Sequence, residues 1–201
     1  MRTIRRPALL PILPLLVFAP LSLQADPIEI DHYPLAVIRM EIGLPDAGVE
    51  VITFKGPAEM QVFFEGASEG DAVDDDGDGF DEVPTLFADL DMHGVSPSVG
   101  SLRLILNAAV PSMGVLEENV NDTPGRLDVS PFTASGGQLD VAIPSNFTIE
   151  FVDMAGATLH NVPDQPLRGV FHEKPASYGD LLESDKASDL YDDAGRPTGL
   201  W

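Results

Sequence analysis

Between residues 35 and 175 the chain alternates apolar and polar positions in short runs, broken repeatedly by glycine, proline, asparagine and aspartate. Period-two alternation places one set of side chains on each face of an extended strand, and frequent turn residues keep the strands short. Met60, Val62 and Phe64 alternate with Gln61 and Phe63. Leu86, Ala88, Leu90 and Met92 are expected on one face, with Phe87, Asp89, Asp91 and His93 on the other. Leu102, Leu104 and Leu106 follow the same rule, as do Phe147, Ile149 and Phe151. Pro45–Gly48 reads as a turn, and RLDVSPF, QLDVAIP, ATLHNV and PLRGVFHEK read as further short runs. MGVLEENV fits either a strand or a helical turn. No helical pattern of useful length precedes residue 178, and no fixed-period repeat occurs. These features predict an all-β fold of about eight to ten strands, a single antiparallel β-sandwich or jelly-roll-like domain.

The ends differ in composition from this middle. Arg2, Arg5 and Arg6 precede an uncharged apolar run reaching Gln24 and Ala25, the pattern of a secretory signal peptide over residues 1–25. The β domain is then expected over 26–176 and an acidic, partly disordered C-terminal tail over 177–201. The chain has no cysteine, which excludes disulfides and a lipid-modified N-terminal cysteine. Its formal charge of −22 opposes binding to nucleic acid phosphates and to anionic membrane surfaces. No run after Ala25 is long and apolar enough to insert in a bilayer as a helix.

The chemical signal is concentrated at residues 71–85, DAVDDDGDGFDEVPT, which hold seven acids and no lysine or arginine. Asp74, Asp76 and Asp78 stand at alternate positions and Gly79 follows them. Ca²⁺ takes six to eight oxygens at roughly 2.3–2.6 Å, and alternate aspartates before a glycine bend supply several from one loop. The carbonyl of Phe80 and the carboxylate of Glu82 occupy the next ligand positions, giving a metal set of Asp74, Asp76, Asp78, Phe80 and Glu82. The loop departs from a helix–loop–helix hand in having Thr85 where a bidentate glutamate is expected and β-rich flanks on both sides. A missing ligand is expected from Asp81, Asp71 or another loop. The competing reading is a solvated acidic turn.

Other motifs carry less. Gly66–Gly70 matches G-x-S-x-G around Ser68, but an acidic loop follows where a nucleophile elbow needs a helix. His32, His93, His160 and His172 share no short metal spacing. Glu117 and Glu118 are adjacent, so a strand would send them to opposite faces. Asn121-Asp122-Thr123 and Asn146-Phe147-Thr148 match the glycosylation pattern, and both read as coincidence. No catalytic residue is assigned.

VFFEG, DDDGDGFDEVPT, NDTPGRLDVSPF, TLHN and HEKP, in this order over much of residues 50–175, resemble an uncharacterised family of exported bacterial β-rich proteins. The resemblance implies export and a shared β fold, and no chemistry. The reading is therefore an exported, noncatalytic, calcium-binding β domain for binding, adhesion or envelope architecture, periplasmic or extracellular. The alternative is a small secreted hydrolase whose site assembles from separated loops.

Overall fold

The computed structural model describes residues 28–44, 48–144, 146–153, 157–161, 166–177, 180, 182–184 and 189–200. The expected signal peptide and the turn at Pro45–Ala47 lie outside these residues. All described regular structure is β, with every strand pair antiparallel. Among the described residues no helix is long and apolar enough to cross a membrane.

Three long strands open the chain: β1 (Ile28–Leu44), β2 (Gly48–Phe63) and β3 (Glu82–Ser96), paired in sequence order. The following strands come as collinear halves. β4 (Gly100–Leu106) lies along Asp91–Ser96 of β3, and β5 (Ser112–Glu118) along Glu82–Phe87 of the same edge. β6 (Leu139–Pro144) pairs with β5, and β7 (Phe147–Phe151) with β4. Next come β8 (Ala157–Asn161) on β7 and β9 (Pro166–Phe171) on β6, then β10 (Leu182–Ser184) on β9 and β11 (Leu190–Tyr191) on β8. Among the described residues the result is one open eleven-stranded sheet, folded as a meander whose later rows are each broken midway.

The midway level is a waist, and β2 alone runs through it as a strand of unbroken inward parity. Ile52, Phe54, Ala58, Met60 and Val62 all point inward along β2. β3 does not keep its parity: Val83 and Thr85 are buried first, then Leu90 and Met92. A bulge causes the change, because Glu59 pairs with Asp89 while Met60 pairs with Phe87, leaving Ala88 as the extra residue. The expectation that Leu86, Ala88, Leu90 and Met92 share one buried face thus holds only at Leu90 and Met92. Before the bulge it is Phe87 that packs inward. β1 shifts in the same way between Tyr33 and Ala36.

This waist separates two cores. Met60, Val62, Phe64, Val83, Leu116, Leu139, Val141 and Ile143 form one, and Ile52, Phe54, Met92, Leu102, Leu104, Ile149 and Leu159 form the other. Tyr33 packs against both. The sheet encloses its apolar face as a sandwich does, so the all-β architecture is as expected. Two local expectations differ. Leu127 and Val129 of RLDVSPF are fully buried, yet they sit in a loop rather than a strand, held by turns and by side-chain acceptors. The C-terminal segment, expected as a tail, supplies β10 and β11, and Leu190 is buried in the second core. Its few apolar anchors, Leu182, Leu190 and Leu200, are widely spaced and give little periodic signal.

Gly114 on β5 is a tight point, since a Cβ there would lie 2.4 Å from the carbonyl oxygen of Ala142 and 2.6 Å from the Cα of Ile143. Both are backbone atoms of β6 and cannot swing away. Gly114→Ala should therefore destabilise the fold by about 1–3 kcal/mol, as overpacking does, read as a lower midpoint in urea at unchanged slope.

Candidate metal centre

The acidic loop joins β2 to β3 and lies at the end of the sheet beyond the first core. Aspartate side chains bond readily to backbone amides two to five residues away, and this loop is built on that habit. Asp74 accepts from Gly77 N at 2.7 Å and from Gly79 N at 3.1 Å. Asp76 accepts from Asp78 N at 3.1 Å, and Asp78 from Phe80 N at 2.9 Å. Gly77 and Gly79 take φ of +81° and +101°, a region in which a side chain would be strained. The backbone thus coils around its own carboxylates. One oxygen from each of Asp74, Asp76 and Asp78 comes within 4.8 Å of the others. Such a group could hold a metal ion.

Phe80 and Glu82, the other expected ligands, stand differently. Phe80 donates its N–H to Asp78, placing it against the cluster. Glu82 is not among the three carboxylates that meet. It is the first residue of β3, 8% exposed, and its Oε1 accepts from Asp75 N at 3.2 Å. Its Oε2 is buried with no hydrogen-bond partner. A buried carboxylate oxygen with nothing to bind costs stability. Burial, with Asp76 and Glu117 nearby, pushes its pKa up.

Two residues expected as reserve ligands are used elsewhere. Asp81 accepts through Oδ2 from the backbone N–H groups of Gly125 and Arg126. Asp71 accepts from Ser68 N at 2.9 Å and pairs with Arg126 at 3.3 Å. Both tie the acidic loop to the loop between β5 and β6, and Leu127 N adds a bond to Gly70 O at 2.9 Å.

That second loop and its strand bring three residues the motif does not show. Glu117 lies directly opposite Glu82 across β3 and β5, and directly opposite Asp140 across β5 and β6. Like charges on one rung repel. Burial, followed by Asp78, Asp76, Asp140 and Asp74, pushes the Glu117 carboxyl up. Asn121 donates through Nδ2 to Gly79 O at 3.0 Å, and its Oδ1 is buried without a partner. Glu118 turns to the other face as its place beside Glu117 requires, and it is fully buried. There it accepts from Asp81 N at 3.1 Å and Asp128 N at 2.7 Å. Register, not motif spacing, makes Glu117 and Glu118 neighbours of the loop. Only the Glu82–Glu117 pairing could have revealed it.

The other motifs do not converge. Ser68 lies in a turn closed by Asp71 N on its carbonyl at 3.1 Å, and no helix follows it. His32 pairs with Glu59, His93 with Asp91, His160 with Asp193 and His172 with Asp180. Asn146 is buried and its amide donates to Pro111 O at 3.0 Å. At the waist an open cleft of about 580 Å³ runs past Ala88, Asp89, Asp91, Arg103 and Asn107. Its charged residues are engaged: Arg103 holds Asp91 at 2.7 and 3.0 Å and Glu150 at 3.1 Å.

Fold and loop together define an antiparallel β protein with an acidic loop able to hold a metal ion. No family model matches the chain, and no curated protein does. Among solved structures it is similar to DynF from the dynemicin biosynthesis pathway of Micromonospora chersina, with a TM-score of 0.58 and 17% identity. The match covers 88% of this chain and 76% of that one. At that identity the likeness is one of fold.

Glu118 is the pin between the two loops, and its loss would strand two buried amides. Glu118→Ala should cost at least ~2 kcal/mol, on the basis of about 1–3 kcal/mol for each unsatisfied group, measured by denaturant unfolding.

Proposed function

We propose that this chain is an exported, noncatalytic β domain whose acidic loop holds a structural Ca²⁺, serving binding, adhesion or envelope architecture. The observation that carries the reading is the meeting of Asp74, Asp76 and Asp78 oxygens within 4.8 Å of one another. The partnerless Glu82 Oε2 beside them fits the same reading. An all-oxygen set suits a hard cation such as Ca²⁺, and the many backbone donors to these carboxylates hold the loop ready for it. Phe80 O and Glu82 would complete the set from the motif, with Asn121 Oδ1 and Glu117 at hand from the neighbouring loop and strand. Export is supported by the basic start and apolar run at the N-terminus. The cation would relieve repulsion between loop and sheet edge, and so stiffen the end of the first core. The hydrolase reading draws less support, because each histidine pairs with a different acid and, among the described residues, none joins a cluster of ligating groups.

At free Ca²⁺ of ~1 mM and a Kd of ~0.1 mM, binding would add about 1.4 kcal/mol to the folded state. For a domain of this size that raises Tm by roughly 3–6 °C. Chelator-treated protein should show that rise on adding Ca²⁺, and Asp76→Ala should lose most of it. Superimposable melts with and without Ca²⁺ would remove the metal from the proposal.

A further inference from the structure

At the end of β1 remote from its hairpin with β2, a lysine ammonium is buried between two carboxylates. Lys174 Nζ lies 2.6 Å from Asp31 Oδ2 and 3.1 Å from Glu29 Oε2. The lysine side chain is 0% exposed and that of Asp31 1%, while Glu29 is 27% exposed. Tyr33 donates its hydroxyl to Asp31 Oδ2 at 3.3 Å, and burial followed by Asp31 pushes its own ionisation far up. Glu29 Oε2 sits within ion-pair distance of the lysine but off the line of a hydrogen bond, so it makes none.

The position of this group in the fold is as informative as its chemistry. β1 pairs only with β2, so its other edge has no strand partner among the described residues. Lys174 follows β9, far along the meander, and is 143 residues from Asp31. Its backbone N–H is fixed on Ser130 O at 2.8 Å. The lysine therefore bridges the first strand to the last part of the sheet, where the hydrogen-bond ladder does not close.

We propose that Lys174 and Asp31 become covalently joined by an isopeptide bond between Nζ and the Asp31 side-chain carboxyl carbon, with Glu29 transferring the protons. One proton passed from the ammonium to the carboxylate across this contact gives the amine and the neutral acid that react. An oxygen 2.6 Å from Nζ, met at an ordinary hydrogen-bond angle, puts the carboxyl carbon close to the near-attack range of about 3–3.5 Å. The nitrogen lone pair attacks that carbon and a C–N bond forms. Glu29 takes a proton from the nitrogen and delivers one to the departing oxygen. The C–O bond breaks, one water leaves, and Glu29 ends as it began. No atom changes oxidation state and no co-reactant is needed. The partial exposure of Glu29 gives the water a way out. Each molecule does this once, to itself, and the product ties the open sheet shut.

The test is a tryptic peptide map of the full folded chain. The expected result is that the peptide ending at Arg39 is recovered joined to the peptide beginning at Gly169, lighter than their sum by one water. Recovery of the two as separate linear peptides from natively folded protein would overturn the proposal and leave an ion pair. Glu29→Gln keeps a similar shape at a partly exposed site and should slow joining by ~10²-fold, within the range for a proton-transfer group. Joining at the wild-type rate in that variant would overturn the role given to Glu29. Lys174→Met should yield no joined peptide, and any joined product from it would also overturn the assignment.

Discussion

The architecture depends on a change of parity at the waist. A strand shows alternate residues to one face, and a single extra residue exchanges the faces. β2 keeps its even-numbered side chains inward from Ile52 to Val62. β3 reaches the same inner face with Val83 and Thr85 below the bulge at Ala88 and with Leu90 and Met92 above it. β1 makes the matching adjustment between Tyr33 and Ala36. The later rows interrupt at this level altogether, as the collinear pairs β4 with β5 and β7 with β6 show. Two cores consequently share one sheet, and the cleft at the waist is the space left where the interrupted rows face the bulge.

The end of the first core carries most of the negative charge that matters. Asp74, Asp76 and Asp78 are gathered by backbone amides of their own loop, while Glu82, Glu117 and Asp140 line up on one rung of three adjacent strands. Neither arrangement follows from a need for solubility, which scattered surface acids would meet equally well. Glu118 and Asp81 act in the opposite sense. Their carboxylates are buried but bonded to amides of the neighbouring loop, and so hold the acidic loop against the sheet. The stability of this end rests on bonded carboxylates, and its capacity for a cation on those left partly unbonded.

The buried lysine at the far side of β1 answers a different constraint. An open sheet curled around its own core has two free edges, and exposed edges are a liability. Lys174, placed against Asp31 and Glu29, binds the first strand to the segment after β9 without adding another ladder. Leu190 and Leu200 do comparable work at the second core through apolar contact, with β11 holding Leu190 N to Leu200 O at 2.9 Å.

Local pattern carried a good part of this into the sequence. Alternation at Met60, Val62 and Phe64, or at Leu102 and Leu104, dictates strands with a buried face, because period two needs no distant partner. The gathering of Asp74, Asp76 and Asp78 was equally legible, since residues two apart in a tight glycine loop bring their carboxylates together by local bonds alone. The bulge at Ala88 was not, because LFADLDM alternates without a break and only pairing with β2 reveals the extra residue. Nor was the approach of Glu117 to Glu82, a matter of register between strands. Lys174 meeting Asp31 lies further still from any local signal. Sequence alone determined most of the segments that extend and the loop that concentrates oxygens. Tertiary structure decided which face each segment buries and which distant charges meet, because those follow from strand register and sheet curvature, which no single segment contains.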